Sequence, residues 1–317
     1  MKKTVITVLC ILFIFVLVIT FGRKTKKTDI DDGKLNVVAT IFPQYDFIRQ
    51  IAGDNVNLNM LISPGAETHS YEPTPQDIIK INNSDVFIFV GGESDAWLEK
   101  ILESLDDKKN RTIISLMDIV KPVKEEIAEG MQEEDEESQE AEYDEHVWTS
   151  PRNAQAIVKY LSDTLQNKDS ANAALYKENA AVYIKKLQAL DASFKDIVKG
   201  GKRKTIVFGD RFPFRYFTDA YGLRYFAAFP GCSNETEANP NTIAFLINKI
   251  KDEKIPVIFY IELSNEKIAD IISESSKAKK LHLHSAQNVS KKDFDKGVSY
   301  LDLMEKNIES LKEALWL

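Results

Sequence analysis

Thiols and histidines are scarce in this 317-residue chain, which has two cysteines, Cys10 and Cys232, and four histidines. Two thiols cannot build a disulfide framework, and Cys10 lies inside an apolar stretch near the N terminus, so no intrachain bridge is expected. Cys232 has no Cys or His close to it in sequence and reads as structural rather than as a soft metal ligand. Basic charge is short as well: 41 Lys and Arg stand against 49 Asp and Glu, a formal charge of −8. A phosphate backbone needs a basic face, so nucleic acid is excluded as a partner, whereas a cation is a compatible ligand. There is no Gly-rich phosphate loop for ATP and no His-Glu-x-x-His helix of the zinc hydrolase type.

Two of the four histidines sit in turn-rich stretches, Pro64-Gly65-Ala66-Glu67-Thr68-His69-Ser70-Tyr71-Glu72-Pro73-Thr74-Pro75 and Tyr143-Asp144-Glu145-His146-Val147-Trp148-Thr149-Ser150-Pro151. Each follows an apolar run and precedes a helix start. Proline restricts the backbone there and fixes the imidazole cheaply in space. A solvated loop histidine is the plain alternative for either one alone, but the matched settings point to both converging on one transition metal ion.

Lys2 and Lys3 precede an apolar run over residues 5–21 that is broken only by Thr7 and Thr20. At about 17 residues it is near the minimum for crossing a bilayer. It reads as an export signal or anchor outside the fold. Cys10 falls in the middle of the run and no small-x-small site precedes Gly22, so an uncleaved anchor is expected, followed by a polar tether to residue 33.

From residue 35 onward, short strand patterns alternate with amphipathic helices, which implies mainly parallel sheets flanked by helices. Strands are expected at 35–42, 56–62, 85–90 and 112–116, and the His69 loop falls at the carboxyl end of one of them, where such sheets bind ligands. Residues 125–145 hold twelve Asp and Glu and no Lys or Arg. Such a run is a solvated loop, with weak cation collection beside His146 as the functional option. A helix from Ser150-Pro151 and a longer one from Asp169-Ser170 to about residue 198 follow, the latter a stiff spine roughly 40 Å long. A second α/β half begins with a strand at 204–209, a helix at 212–220 and a strand at 224–229. It continues with a helix at 242–251, a strand at 257–261 ending at Glu262, a helix at 265–275, and Leu281-His282-Leu283-His284, whose alternation puts both histidines on one face. A helix over 300–315 closes the chain. The organisation is thus residues 1–33 as anchor and tether, 34–150 as the first lobe with its acidic loop, 151–200 as linking helices and 201–317 as the second lobe.

With these pieces placed, the chain resembles the substrate-binding proteins of zinc and manganese ABC importers, the group of ZnuA-like zinc binders and PsaA/TroA-like metal receptors. The likeness covers about residues 36–315. It rests on Ala39-Thr40-Ile41-Phe42-Pro43, the two histidine motifs, and Tyr216-Phe217 with Tyr221-Gly222-Leu223. It implies two α/β lobes on a rigid spine helix, the cluster A-I type of substrate-binding protein, with a metal between the lobes. His69 and His146 carry over as ligands. The third position does not, because an ungapped match places Arg211 there and a guanidinium cannot ligate a cation. Asp210, one residue earlier, is the available donor. The fourth position falls on His284, against the alternative of a surface strand histidine, and His282 ranks below it. Glu262 is a candidate alternative ligand or a carboxylate that orients a ligating imidazole, the other reading being a charge at a helix N-terminus.

The resemblance implies an extracytoplasmic, membrane-anchored monomer that captures zinc, with manganese as the alternative, and delivers it to an ABC permease without catalysis. A metal-dependent hydrolase and an extracellular adhesin stabilised by its metal are the competing readings.

Overall fold

Among the described residues eight short strands, the central ones rich in Val, Ile and Phe, form two four-stranded sheets, and every pairing within each sheet is parallel. The computed structural model describes residues 33–68, 71–105, 110–131, 143–233 and 238–317. The chain divides into residues 1–34 and a unit spanning 35–317. Of the first unit only Gly33 and Lys34 are described, so the expected anchor at 5–21 lies outside the described residues. Among the described residues no helix is long and apolar enough to cross a membrane.

The first sheet has the order β2-β1-β3-β4, built from β1 (Leu35–Ala39), β2 (Val56–Met60), β3 (Val86–Phe89) and β4 (Thr112–Ser115). Three helices belong to it, α1 (Phe42–Ala52), α2 (Pro75–Asn83) and α3 (Leu98–Ser104). α2 starts where the sequence says it should. Asp77 N donates to Thr74 Oγ1 at 3.3 Å, while Thr74 N donates back to Asp77 Oδ2 at 3.2 Å, and Pro75 takes the first helical position.

Two helices then connect the lobes. α4 (Pro151–Lys168) buries Ala154, Ile157, Val158, Leu161 and Leu165, the expected face. α5 (Ala173–Gly200) begins three residues later than its periodicity suggests, because Asp169 accepts from Asn172 N, Asn172 Nδ2 and Tyr176 Oη and turns the chain between the helices. Its 28 residues span about 42 Å. Tyr176, Ala180, Tyr183, Leu187, Leu190, Phe194 and Ile197 are buried along it. They share one apolar core with Val37, Phe42, Phe47 and Ile48 of the first lobe and Ile206, Phe208, Val257 and Phe259 of the second.

The second sheet repeats the arrangement as β6-β5-β7-β8, with β5 (Thr205–Arg211), β6 (Arg224–Phe229), β7 (Val257–Tyr260) and β8 (Lys279–His282). Its helices are α6 (Arg215–Tyr221), α7 (Pro240–Asp252), α8 (Lys267–Ser276), α9 (Lys291–Asp295) and α10 (Tyr300–Trp316). β5 runs two residues past the expected end at Gly209, so Asp210 and Arg211 sit on strand. α6 starts at Arg215 rather than at 212, since Pro213 disfavours helical backbone at Phe212. The five-residue α9, capped by Ser290 over Asp293 N at 3.1 Å, has too few residues to show a period.

Candidate metal centre

The second-lobe candidates lie at or just beyond the carboxyl end of a strand, the position parallel sheets reserve for ligands, whereas His146 sits at the start of a 3-10 turn well after β4. Residues 61–74 follow β2, Asp210 and Arg211 end β5, Glu262 follows β7, and His282 and His284 end and follow β8. His69 lies outside the described residues, and the described residues on either side of it are held in place. Ahead of it, the side-chain amide of Asn288 donates to the carbonyls of Ser63 at 3.1 Å and Ala66 at 2.8 Å. Behind it, Tyr71 Oη donates to Asp77 Oδ2 at 3.0 Å.

His146 is buried at the start of a 3-10 turn, Val147–Thr149. Asp144 Oδ1 accepts from His146 N at 2.8 Å and lies 3.3 Å from its Nδ1. Burial alone would push this imidazole down, but the Asp144 carboxylate, with Glu145 and Glu125 beyond it, raises it. Two glycines let this loop pack. A Cβ on Gly92, at φ +84°, would come within 2.5 Å of the Glu145 carboxylate, and one on Gly231 would meet Phe212 O at 2.8 Å and Asp144 and His146 at 3.3 Å. The second lobe ties the loop down: Tyr216 Oη donates to Asp144 O at 2.7 Å and Trp148 Nε1 to Ser285 O at 2.9 Å. Cys232 is a free thiol raised well above its ordinary range by burial, consistent with a structural residue.

Three donors converge on the second lobe. One ligand atom from each of Glu262, His282 and His284 lies within 4.8 Å of the other two. They line a cavity of about 210 Å³ together with Tyr260, Asn288 and Asp293. The two imidazoles are 3.8 Å apart between centroids, as their shared face requires, and His282 stacks on Tyr260 at 4.9 Å and 8°. Burial lowers His282 to about 4, and burial together with the neighbouring His282 lowers His284 to about 3, so both are neutral ligand forms at pH 7. Asn307 fixes His284 by accepting from its N–H and donating to its carbonyl, each at 2.7 Å.

Glu262 Oε2 accepts from Ser285 N at 2.8 Å, and Oε1 accepts from Ser285 Oγ at 2.6 Å and Gln287 N at 2.9 Å, so it braces the loop after His284. The carboxylate that meets a histidine ring nitrogen by hydrogen bond is Asp144, which sequence reasoning folded into the acidic run; its Asp-x-His spacing, a short acceptor two residues before an imidazole, was the available signal. Asp210 is buried, its oxygens accepting from Arg211 N at 2.8 Å and Ile261 N at 3.3 Å, and burial pushes its carboxyl up against the Ser264 hydrogen bond. Neither Asp210 nor His146 joins the Glu262, His282 and His284 cluster. Arg211 turns its guanidinium to Glu67, 3.6 Å away on the loop that carries His69.

Residues 37–314 match the protein family described as zinc-uptake complex component A, periplasmic, abbreviated ZnuA. The chain belongs to this family. Among curated relatives, the zinc-binding lipoprotein AdcA of Streptococcus pneumoniae is 34% identical over 283 residues, covering 89% of this chain. The chain spans only 56% of AdcA's length. The high-affinity zinc uptake system protein ZnuA of Bacillus subtilis is 31% identical and is matched over 94% of its length and 95% of this chain. The crystal structure of the Zn(II)-bound ZnuA-like domain of Streptococcus pneumoniae AdcA superposes with a TM-score of 0.73 at 31% identity, covering 89% of this chain and 99% of that domain. The two parallel sheets and long α5 are thus those of a ZnuA-family chain.

Proposed function

We propose that this chain captures a zinc ion outside the cytoplasm and hands it to an ABC permease in the same membrane, with manganese as the alternative cargo. The ion lies between the lobes, held by His69 and His146 from the first and His284 from the second. A carboxylate from Asp210 or Glu262 completes the set, and Glu262, already beside His284, is the better placed. With Asp144 beside its Nδ1, His146 would meet the ion through Nε2, the arrangement in which an outer carboxylate orients a ligating imidazole. Donors rich in imidazole suit zinc better than manganese. Transport work belongs to the partner ATPase, since a ZnuA-family chain is a binding component and not an enzyme. The zinc-binding names of the relatives support the cargo, and the periplasmic description of the family supports the location, with residues 5–21 as the anchor.

The observation that carries this reading is the loop 285–288. Its Ser285 carbonyl takes Trp148 from the His146 loop, and its Asn288 side chain takes the backbone of the His69 loop. Both first-lobe loops are therefore docked on the segment that directly follows His284. The test is a titration of the purified chain with zinc, manganese and calcium, beside His69→Ala and His146→Ala. Zinc is expected to raise the melting temperature of the parent and to bind more weakly to each variant. Equal zinc binding by parent and both variants overturns the proposal.

A further inference from the structure

Arg211 removes a donor from the second lobe, yet that lobe holds a donor the family resemblance does not call for, His282. Its Nε2 is buried and has no hydrogen-bond partner. A buried ring nitrogen without a partner is costly, and a metal ion is one of the few things that satisfies it without a proton. His282 belongs to the same group as His284 and Glu262, one ligand atom of each lying within 4.8 Å of the others. A carboxylate has about four lone-pair positions over its two oxygens. Three on Glu262 are taken by Ser285 and Gln287, and its own backbone N–H also reaches the carboxylate, so an ion meets oxygens already held in place.

All three donors are set by the second lobe alone. Glu262 is fixed by the loop it braces, His284 by Asn307 and His282 by its stack on Tyr260. Donors preset on strand ends lose little freedom on binding. Two imidazoles and one carboxylate form a three-ligand set that suits zinc and leaves coordination positions open. The cavity beside them gives those positions room.

We infer that Glu262, His282 and His284 form a zinc position of their own on the second lobe, occupied without the first-lobe histidines, from which the ion passes to the position between the lobes. The open coordination makes this a labile holding position. Sharing His284 and Glu262 between the two positions limits the chain to one of them at a time and gives the ion a continuous path, so His282 is the donor that distinguishes the second-lobe position. Nothing in this site depends on His69 or His146.

The experiment uses the full-length chain in detergent carrying His69→Ala and His146→Ala together, labelled with ¹⁵N-histidine. Only His282 and His284 remain in that variant, so long-range ¹H–¹⁵N spectra report each ring without ambiguity. On addition of zinc, ring nitrogens of both residues are expected to shift, with one ion bound per chain by equilibrium dialysis. Adding His282→Phe, which keeps an aromatic ring on Tyr260, is expected to weaken that residual binding at least tenfold, with an unchanged circular dichroism spectrum confirming the fold. Absence of zinc-induced shifts in the double variant overturns the inference on its own. Residual binding that persists undiminished in the His282→Phe background also overturns it. Neither result touches the position between the lobes, whose own failure would appear as unchanged zinc affinity in the double variant.

Discussion

Trp148, two residues after His146 in the first lobe, donates its indole N–H to the carbonyl of Ser285, one residue after His284 in the second, at 2.9 Å. The indole is fully buried, and Tyr300 Oη donates to the Trp148 carbonyl at 2.7 Å from the other side. One side chain thereby sets the spacing between the strand-end segments of the two lobes.

Trp148→Phe removes that donor and leaves the Ser285 carbonyl unpaired in the interior, a loss of about 1–3 kcal/mol before the smaller ring is considered. The apo protein should melt several degrees lower by calorimetry. Zinc affinity should fall as well, although no proposed ligand is altered.

Asp144→Asn should weaken zinc binding by roughly 10- to 100-fold, the usual cost of losing a carboxylate behind a ligating imidazole. The same change removes the largest influence that raises the His146 imidazole. An NMR titration of the apo variant should therefore place the His146 midpoint below that of the parent.

Acid should act on the segment behind His69 through Asp77. Burial pushes this carboxyl up, but hydrogen bonds from Thr74, Lys80 and Tyr71 outweigh it and hold it at about 2 against an ordinary 3.8. The folded state therefore holds its proton less tightly than the unfolded chain, and the stability this supplies is complete above pH 3.8 and lost as pH falls toward 2. Thermal melts should show Asp77→Asn below the parent at pH 5, with the difference closing near pH 2.5.

Arg211→His places an imidazole where the family resemblance expects a ligand and removes a fixed positive charge from the edge of the cleft. The Arg211 and Glu67 pair is partly exposed at 3.6 Å, so its loss should change stability by no more than about 1 kcal/mol. Zinc affinity should rise by roughly tenfold, about 1.4 kcal/mol, in a competition titration.

Periodicity revealed most of the fold. The apolar positions of α4 and α5 recur at helical spacing and lie buried as the pattern demands. The alternation around His282 and His284 placed both rings on one face, and they are in contact. The Thr74 cap was readable because its partner is three residues away. What escaped depends on distant parts of the chain. Glu262 was legible as an alternative ligand or a partner for an imidazole, but not the turn at Ser285 and Gln287 that brings backbone N–H groups to both its oxygens. Arg211 stood out as a misfit, but its partner Glu67 lies on the other lobe. Asp144 was indistinguishable from its acidic neighbours, since its role comes from a two-residue turn that aims one carboxylate at His146. His69 sits in the most specific motif of the chain but outside the described residues, so the motif alone locates it.

Because α5 lines one apolar interior that takes in both sheets, neither half can be exchanged or removed as an independent module. A chimaera joining the metal-gripping half of one relative to the other half of a second would have to preserve the pattern of large side chains along the helix. Retuning metal preference in this scaffold is therefore a matter of altering the tips of strands, where substitutions leave the shared interior whole.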